Sequence, residues 1–296
     1  MAKTAYIILV LTTLMWSGNS IAGKMAVGHV SPMILVFFRW LLAFLVFLPI
    51  GWKPLRRDWP VVRRHLLKLG LMGASGFTLF NAIFYTALNY TTAINVSIEQ
   101  AGVPVTIIVV NFLLFRLRVT WAQILGVLLT IFGVILAASH GDPLQLMKLQ
   151  LNFGDAIMLI AVVLYSVYSV GLRLKPALGW QSLMLVFTGS SLVAAIPFAI
   201  WEIGWSKPIF PDTEGWLLIA YTAFIVSAIS QVLFIRGIEL IGPNRAGIFI
   251  NLVPIFGTLL SVAILGESLN LYQGVALAFV LGGIWLAETS GRKRPF

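Results

Sequence analysis

The chain has 296 residues, 59% hydrophobic and 10% charged, with a mean hydropathy of +0.97 and a formal net charge of +10. A soluble domain carries roughly 25% charged residues, so the composition excludes a water-soluble globule and places the chain in a bilayer. With no cysteine, a disulfide framework, a thiolate nucleophile and a cysteine metal site are excluded as well.

A helix needs about 20 apolar residues to cross the hydrocarbon. Ten such stretches are predicted, at about 5–26, 32–50, 67–88, 93–115, 120–139, 153–173, 181–201, 215–237, 245–265 and 271–289. Their continuous apolar runs predict an all-α integral membrane fold, not a barrel of alternating strands. With the N-terminus in the cytoplasm, sixteen basic residues fall inside against Lys24, Lys148 and Lys207 outside, and Arg39 lies within a span. This is the positive-inside bias, so both termini are expected in the cytoplasm. The bias accounts for the basicity, and no nucleic-acid partner is expected.

Span 1 carries Trp16-Ser-Gly-Asn19-Ser20 near its middle. Its match to span 6 predicts that it is retained and is not a signal peptide. Span 2 holds Arg39, and the Arg-rich segment Gly51–His65 is expected as a turn at the headgroups. Span 3 brings Asn81 and Tyr85. Span 4 carries a polar face of Asn95, Glu99, Gly102 and Thr106 and an interior proline, Pro104. Arg39 and Glu99 lie at matched depth, roughly 9–11 Å below the outer surface at 1.5 Å per residue. An unpaired charge there costs at least about 2.5–3.5 kcal/mol, so the two are expected to pair or to share a wet cavity.

In the second half, span 6 carries Tyr165-Ser-Val-Tyr168-Ser169, span 8 Ser227, Ser230 and Gln231, and span 9 a face of Gly247, Asn251, Pro254, Thr258 and Ser261. Pro104 and Pro254 are expected to kink their helices as hinges, freeing the carbonyls of Gln100 and Ile250. Spans 5 and 10 are spaced by Gly126, Gly133, Gly274, Ala278 and Gly282 and read as packing supports. Trp52, Trp59, Trp180, Trp201, Trp205 and Trp216 sit at span ends, where aromatic rings favour the interface.

The chain also repeats itself. A shift of 150 residues places Ile98, Val103, Pro104, Gln123, Gly133, Leu136 and Ala137 on Ile248, Val253, Pro254, Gln273, Gly283, Leu286 and Ala287. A shift of 149 places Trp16-Ser17 on Tyr165-Ser166. The halves 1–145 and 146–296 are read as two five-helix repeats. An odd number of spans separates equivalent residues, so the repeats are expected to be inverted.

These features resemble the EamA family of the drug/metabolite transporter superfamily. The resemblance rests on the mid-span Trp16-Ser-Gly, the Phe-Phe-Arg39-Trp-Leu-Leu-Ala-Phe run, the prolines of spans 4 and 9, and Leu265-Gly-Glu-Ser-Leu269 before Gln273 and Gly283. Within the family, the chain looks most like the branch exporting aromatic and other neutral amino acids and methyl viologen. The resemblance implies a multi-pass protein of the plasma (inner) membrane that works by alternating access around a central cavity. The first repeat departs from the pattern, with Phe115-Arg-Leu-Arg-Val119 at the place of the Leu-Gly-Glu turn.

The substrate-binding candidates are Trp16, Asn19, Arg39, Asn81, Tyr85, Asn95, Glu99, Tyr165, Tyr168, Gln231 and Asn251. An aromatic cavity suits an aromatic amino acid or, through cation–π attraction, a flat organic cation. Catalysis is not expected, because His29, His65 and His140 sit at span ends or in loops and no second carboxylate is expected near Glu99 for paired acid–base chemistry. No cofactor or metal is expected. The expected partners are a small-molecule substrate and the lipid bilayer, with the proton one candidate coupling ion and the chain a monomer or weak oligomer.

Overall fold

The computed structural model describes residues 2–116, 120–141, 152–241, 246 and 249–291. Lys148, Arg118, Arg245 and Gly247 therefore lie outside the described residues, as does most of the expected half boundary. Among the described residues the chain is all helical. The α-helices, in order, are α1 (Ala2–Met25), α2 (Pro32–Arg64), α3 (Leu66–Gly73), α4 (Phe80–Ala87), α5 (Ala93–Gln100), α6 (Val103–Phe115), α7 (Trp121–Ala138), α8 (Phe153–Gly171), α9 (Trp180–Trp205), α10 (Thr213–Ala220), α11 (Ser230–Ile241), α12 (Val253–Leu265) and α13 (Leu271–Gly291). Among the described residues, eight continuous helical stretches are long and apolar enough to cross a membrane, and Phe249–Leu265 and Leu271–Ala287 are shorter apolar stretches.

Two π-helical segments interrupt the bundle. Ala74–Leu79 joins α3 to α4, and Tyr221–Ile229 joins α10 to α11. Segments of this kind are uncommon and shift the face that a helix presents. Here they stand at corresponding places in the two parts of the chain.

The correspondence extends to helix ends. α6 and α12 begin at Val103 and Val253 and span 13 residues each. Both end on a residue in the left-handed region, Arg116 at φ 50° and Gly266 at φ 67°. α7 starts with a capping box in which the Thr120 amide donates to Gln123 Oε1 at 2.9 Å, and the Asn270 amide donates to Gln273 Oε1 at 2.9 Å before α13.

Two expectations about helix breaks are corrected. Gly51–His65 is not a turn: α2 continues to Arg64 through Pro49, Pro54 and Pro60. Pro104 and Pro254 do not kink a continuous helix. Each stands in the first turn of a separate helix, where the missing N–H has no intrahelical partner to lose. The chain breaks at Ala101–Gly102 and at the 3₁₀ turn Phe249–Leu252.

The packing is crosswise. α1 packs against α11 and α12, while α8 packs against α4 and α6. Ser17 Oγ donates to the Val253 carbonyl at 2.9 Å, and Ser166 Oγ donates to the Val103 carbonyl at 3.3 Å. Each serine thus bonds the carbonyl just before the other break's proline. α2 pairs with α9 and α7 with α13. In the second pair, a Cβ on Gly126 would stand 2.5 Å from the Gly283 carbonyl oxygen, and one on Gly133 would stand 2.7 Å from that of Ala276. The α13 stripe is therefore Ala276, Val280, Gly283 and Ala287, not the expected Gly274, Ala278 and Gly282. Gly274 and Gly282 have open space around them and Ala278 is exposed.

One end of the bundle is clasped by loops. The Ser31 amide donates to the Ile209 carbonyl at 2.9 Å, and the Ile209 amide to Ser31 Oγ at 2.8 Å. Beside them His29 Nδ1 lies 2.8 Å from Asp212 Oδ2. Hydrogen bonding to Asp212 raises the His29 pKa, and the Gly215 amide and His29 together lower that of Asp212. Two carboxylates cap helices from a distance. Glu202 accepts the amides of Met33 and Ile34 in α2, and Glu267 accepts those of Ala93 and Ile94 in α5.

Candidate functional site

Arg39 is 4% exposed near the centre of the bundle, on the face of α2 turned toward α1, α4 and the second π-helical segment. Its Nε donates to Ser227 Oγ at 2.8 Å. Its Nη1 donates to Asn19 Oδ1 and to Asn81 Oδ1, both at 2.9 Å, and to the Tyr85 hydroxyl. Tyr85 in turn donates to Asn19 Oδ1 at 2.7 Å. The π-helical geometry aims Ser227, whose hydroxyl also donates to the Thr222 carbonyl five residues back, at 3.0 Å. Asn81 is oriented by donating Nδ2 to the Phe77 carbonyl at 2.6 Å.

Every one of these partners is neutral. Among the described residues no carboxylate pairs with Arg39, and Nη2 donates no hydrogen bond. A buried guanidinium held by neutral oxygens is positioned and partly solvated, but its charge stays uncompensated. Beside it runs an aromatic wall. The guanidinium lies 5.1 Å from the Trp40 ring centroid, and Trp40 stacks on Phe77 at 4.9 Å. Phe77 meets Tyr168 at 6.0 Å and Phe187 at 5.6 Å, and Tyr165 packs on Phe80 at 4.9 Å and on Tyr168 at 5.5 Å. The buried Trp40 Nε1 has no hydrogen-bond partner.

The structure brings four of the sequence candidates, Asn19, Arg39, Asn81 and Tyr85, into one network, and puts Tyr165 and Tyr168 in the adjoining wall. Trp16 is half-buried, donates to Ser230 Oγ at 2.8 Å and packs on Phe234. Gln231 and Asn251 are half-buried and make no bond to Arg39.

Asn95 and Glu99 belong elsewhere. Asn95 Oδ1 accepts from Gln273 Nε2 at 2.8 Å. Glu99 is fully buried with both carboxyl oxygens unbonded, so it does not pair with Arg39. Depth along a helix is legible from residue count, but the direction in which a side chain leaves its helix is not. Asp155 and Thr91 gather at that second place with His140, which reads in the sequence only as a loop histidine. An acid in a first helical turn reads as an ordinary dipole partner, so Asp155 gave no signal. An apolar cleft of about 380 Å³, lined by Ile34, Phe38, Ile196, Ile200, Ile203 and Phe210, takes no part in either network.

Comparison with known proteins agrees with this architecture. A transporter of Archaeoglobus fulgidus with no characterised substrate is 26% identical over 97% of this chain and 98% of its own length. The uncharacterized transporter YyaM of Bacillus subtilis is 25% identical over 96% of this chain and 93% of its own. The uncharacterized inner membrane transporter YicL of Salmonella typhimurium is 24% identical over 97% and 95%. One solved crystal structure superposes with a TM-score of 0.65 over 98% of both chains at 20% identity, a likeness of fold alone. The profile of the EamA-like transporter family matches residues 3–139 and again residues 152–289, nearly the whole chain in two passes, and the protein therefore belongs to the EamA-like transporter family.

Proposed function

We propose that this membrane transporter exports neutral and aromatic amino acids. The observation that carries the reading is the buried Arg39 guanidinium with neutral partners only and Nη2 undirected. A substrate carboxylate supplies the missing negative charge, and a charge-assisted bond to Arg is among the stronger polar contacts available. The wall of Trp40, Phe77, Tyr168 and Phe187 offers an aromatic side chain its π-faces beside that anchor. Efflux of organic cations such as methyl viologen is the weaker reading, because an uncompensated cation at the site repels them.

In this reading the chain has ten membrane-spanning helices as two inverted five-helix repeats, 1–145 and 146–296. Both termini face the cytoplasm and the protein sits in the plasma membrane. The paired helix breaks, the paired π-helical segments and the double family match all support the repeat. Transport proceeds by alternating access, with the breaks ahead of Pro104 and Pro254 as hinges and the Ser31–Ile209 clasp as the outer gate.

Counterflow of labelled phenylalanine and threonine into proteoliposomes, competed with other neutral amino acids and with methyl viologen, tests the substrate. Saturable uptake competed by neutral amino acids supports the reading. Competition by methyl viologen alone, or no uptake, transfers the assignment to cation efflux.

A further inference from the structure

The Arg39 network leaves unused a second group of ionisable side chains near the His29 end. Glu99 is fully buried, and neither Oε1 nor Oε2 has a hydrogen-bond partner. α5 packs against α8, whose first turn carries Asp155. Asp155 is also fully buried but amply supplied. The Thr91 hydroxyl donates to Oδ1, and His140 Nε2 lies 3.0 Å from Oδ2. His140 is 39% exposed and its Nδ1 stands 3.3 Å from the Tyr272 hydroxyl. A surface imidazole, a bonded carboxyl and an unbonded carboxyl thus follow one another inward.

The other elements packed on α5 bring no relief to Glu99. α1 brings Lys24, whose Nζ donates to the Leu88 and Thr91 carbonyls. The turn after α12 brings Glu267, engaged by the Ala93 and Ile94 amides. α13 brings Tyr272, which faces His140, and the α7 end brings His140 itself. Two neighbouring buried carboxyls cannot both ionise without a cation between them. The one with donors holds the negative charge better. Glu99 has none, and a neutral acid is far cheaper to bury without partners than a carboxylate.

We propose that Glu99 is a proton-binding site, protonated in this conformation, with Asp155 and His140 as its route to the His29 end of the bundle. Glu99 makes no hydrogen bond to Asp155 in this conformation. On release a movement of α5 first brings the carboxyl within reach, and the Glu99 O–H bond then breaks as an O–H bond forms on Asp155. Asp155 passes that proton to His140 Nε2 as His140 gives its Nδ1 proton to bulk water. Glu99 lies in the last turn of α5, just before the Ala101–Gly102 break. A movement at that break therefore changes which groups surround the carboxyl. Coupling of this proton to substrate rests on the export reading above, whereas the proton site itself does not.

Infrared difference spectra of the purified full-length protein between about pH 6 and about pH 9 test the site. The expected result is a protonated-carboxyl C=O band present at neutral pH and missing from Glu99→Gln, with Glu99→Asp retaining a shifted band. Identical wild-type and Glu99→Gln spectra overturn the proposal. In wild-type proteoliposomes loaded with a pH-sensitive dye, a phenylalanine gradient is expected to move protons. Uptake without a dye response overturns the coupling. Absence of phenylalanine uptake overturns the export reading and leaves the infrared band to decide the proton site.

Discussion

Nη1 of Arg39 and Oδ1 of Asn19 lie 2.9 Å apart and tie the first third of α2 to the last third of α1. Because Nη1 also reaches Asn81 and Tyr85 while Nε reaches Ser227, one guanidinium sets the spacing of four helical segments. A lysine keeps the charge but cannot form this fork. Arg39→Lys is expected to raise the KM for amino-acid counterflow at least tenfold, since losing one charged hydrogen bond costs about 1.5–3 kcal/mol and each 1.4 kcal/mol is tenfold. A KM equal to wild type removes Arg39 from substrate recognition.

Ser31 and Ile209 are bonded backbone to backbone, and the chain has no native cysteine to confuse a crosslink. A Ser31→Cys, Ile209→Cys double variant is expected to oxidise readily, because neighbouring backbones bonded in this way stand at disulfide range. The oxidised protein should lose counterflow and regain it on reduction. Undiminished transport by the oxidised form would show that this end need not open.

Packing between α7 and α13 separates glycines that touch from glycines that do not. Gly126→Ala places a methyl carbon 2.5 Å from the Gly283 carbonyl oxygen and is expected to cost about 1–3 kcal/mol as overpacking. Gly282→Ala enters open space and is expected to be neutral or to stabilise by up to about 1 kcal/mol through helix propensity. Thermal unfolding in one detergent compares the two, and equal midpoints refute the helix register described above.

Arg116 and Gly266 close equivalent helices in the left-handed region, but only glycine is at ease there. Gly266→Ala should lower stability by about 1 kcal/mol and Arg116→Gly should raise it by a similar amount. A shift of the same sign in both variants contradicts the assignment of these caps.

The His29–Asp212 contact gives the Ser31–Ile209 clasp a pH window. The His29 pKa is raised from 6.5, so its contribution is complete below about pH 6.5 and is lost as pH rises through the higher folded value. That of Asp212 is lowered from 3.8, so its contribution is complete above about pH 3.8 and is lost as pH falls through the lower folded value. Wild type should therefore be more stable than His29→Ala at about pH 5–6, and the difference should shrink toward about pH 9. A difference that grows with pH reverses the sign of the linkage.

Much of this architecture is legible in residue patterns. Apolar length predicts the spans, and the 150-residue recurrence of Val103-Pro104 as Val253-Pro254 marks the two breaks. What the prolines do there was misread, because a proline fits a first turn as well as a kink and only the backbone of Ala101–Gly102 distinguishes them. The α2 extension is hidden for a different reason: interior prolines among basic residues read as the end of a helix, yet α2 runs on through Pro49, Pro54 and Pro60. Asn19, Arg39, Asn81 and Tyr85 could be gathered from polarity alone, since each stands out on an apolar helix. Glu99 could be marked as unusual but not assigned a neighbour. Asp155 lies 56 residues further along and His140 in a loop, and no periodicity links them to α5.

The remote caps bear on how the protein is made. The Met33 and Ile34 amides wait for Glu202, and those of Ala93 and Ile94 wait for Glu267, near the far end of the chain. Helices enter a membrane in the order of their synthesis. Two early ones are therefore delivered with bare amino termini, and each is completed only by a carboxylate translated more than 160 residues later. A nascent chain that stops before Glu267 leaves the Ala93 and Ile94 amides without their carboxylate and the start of α5 without its tie to the end of α12.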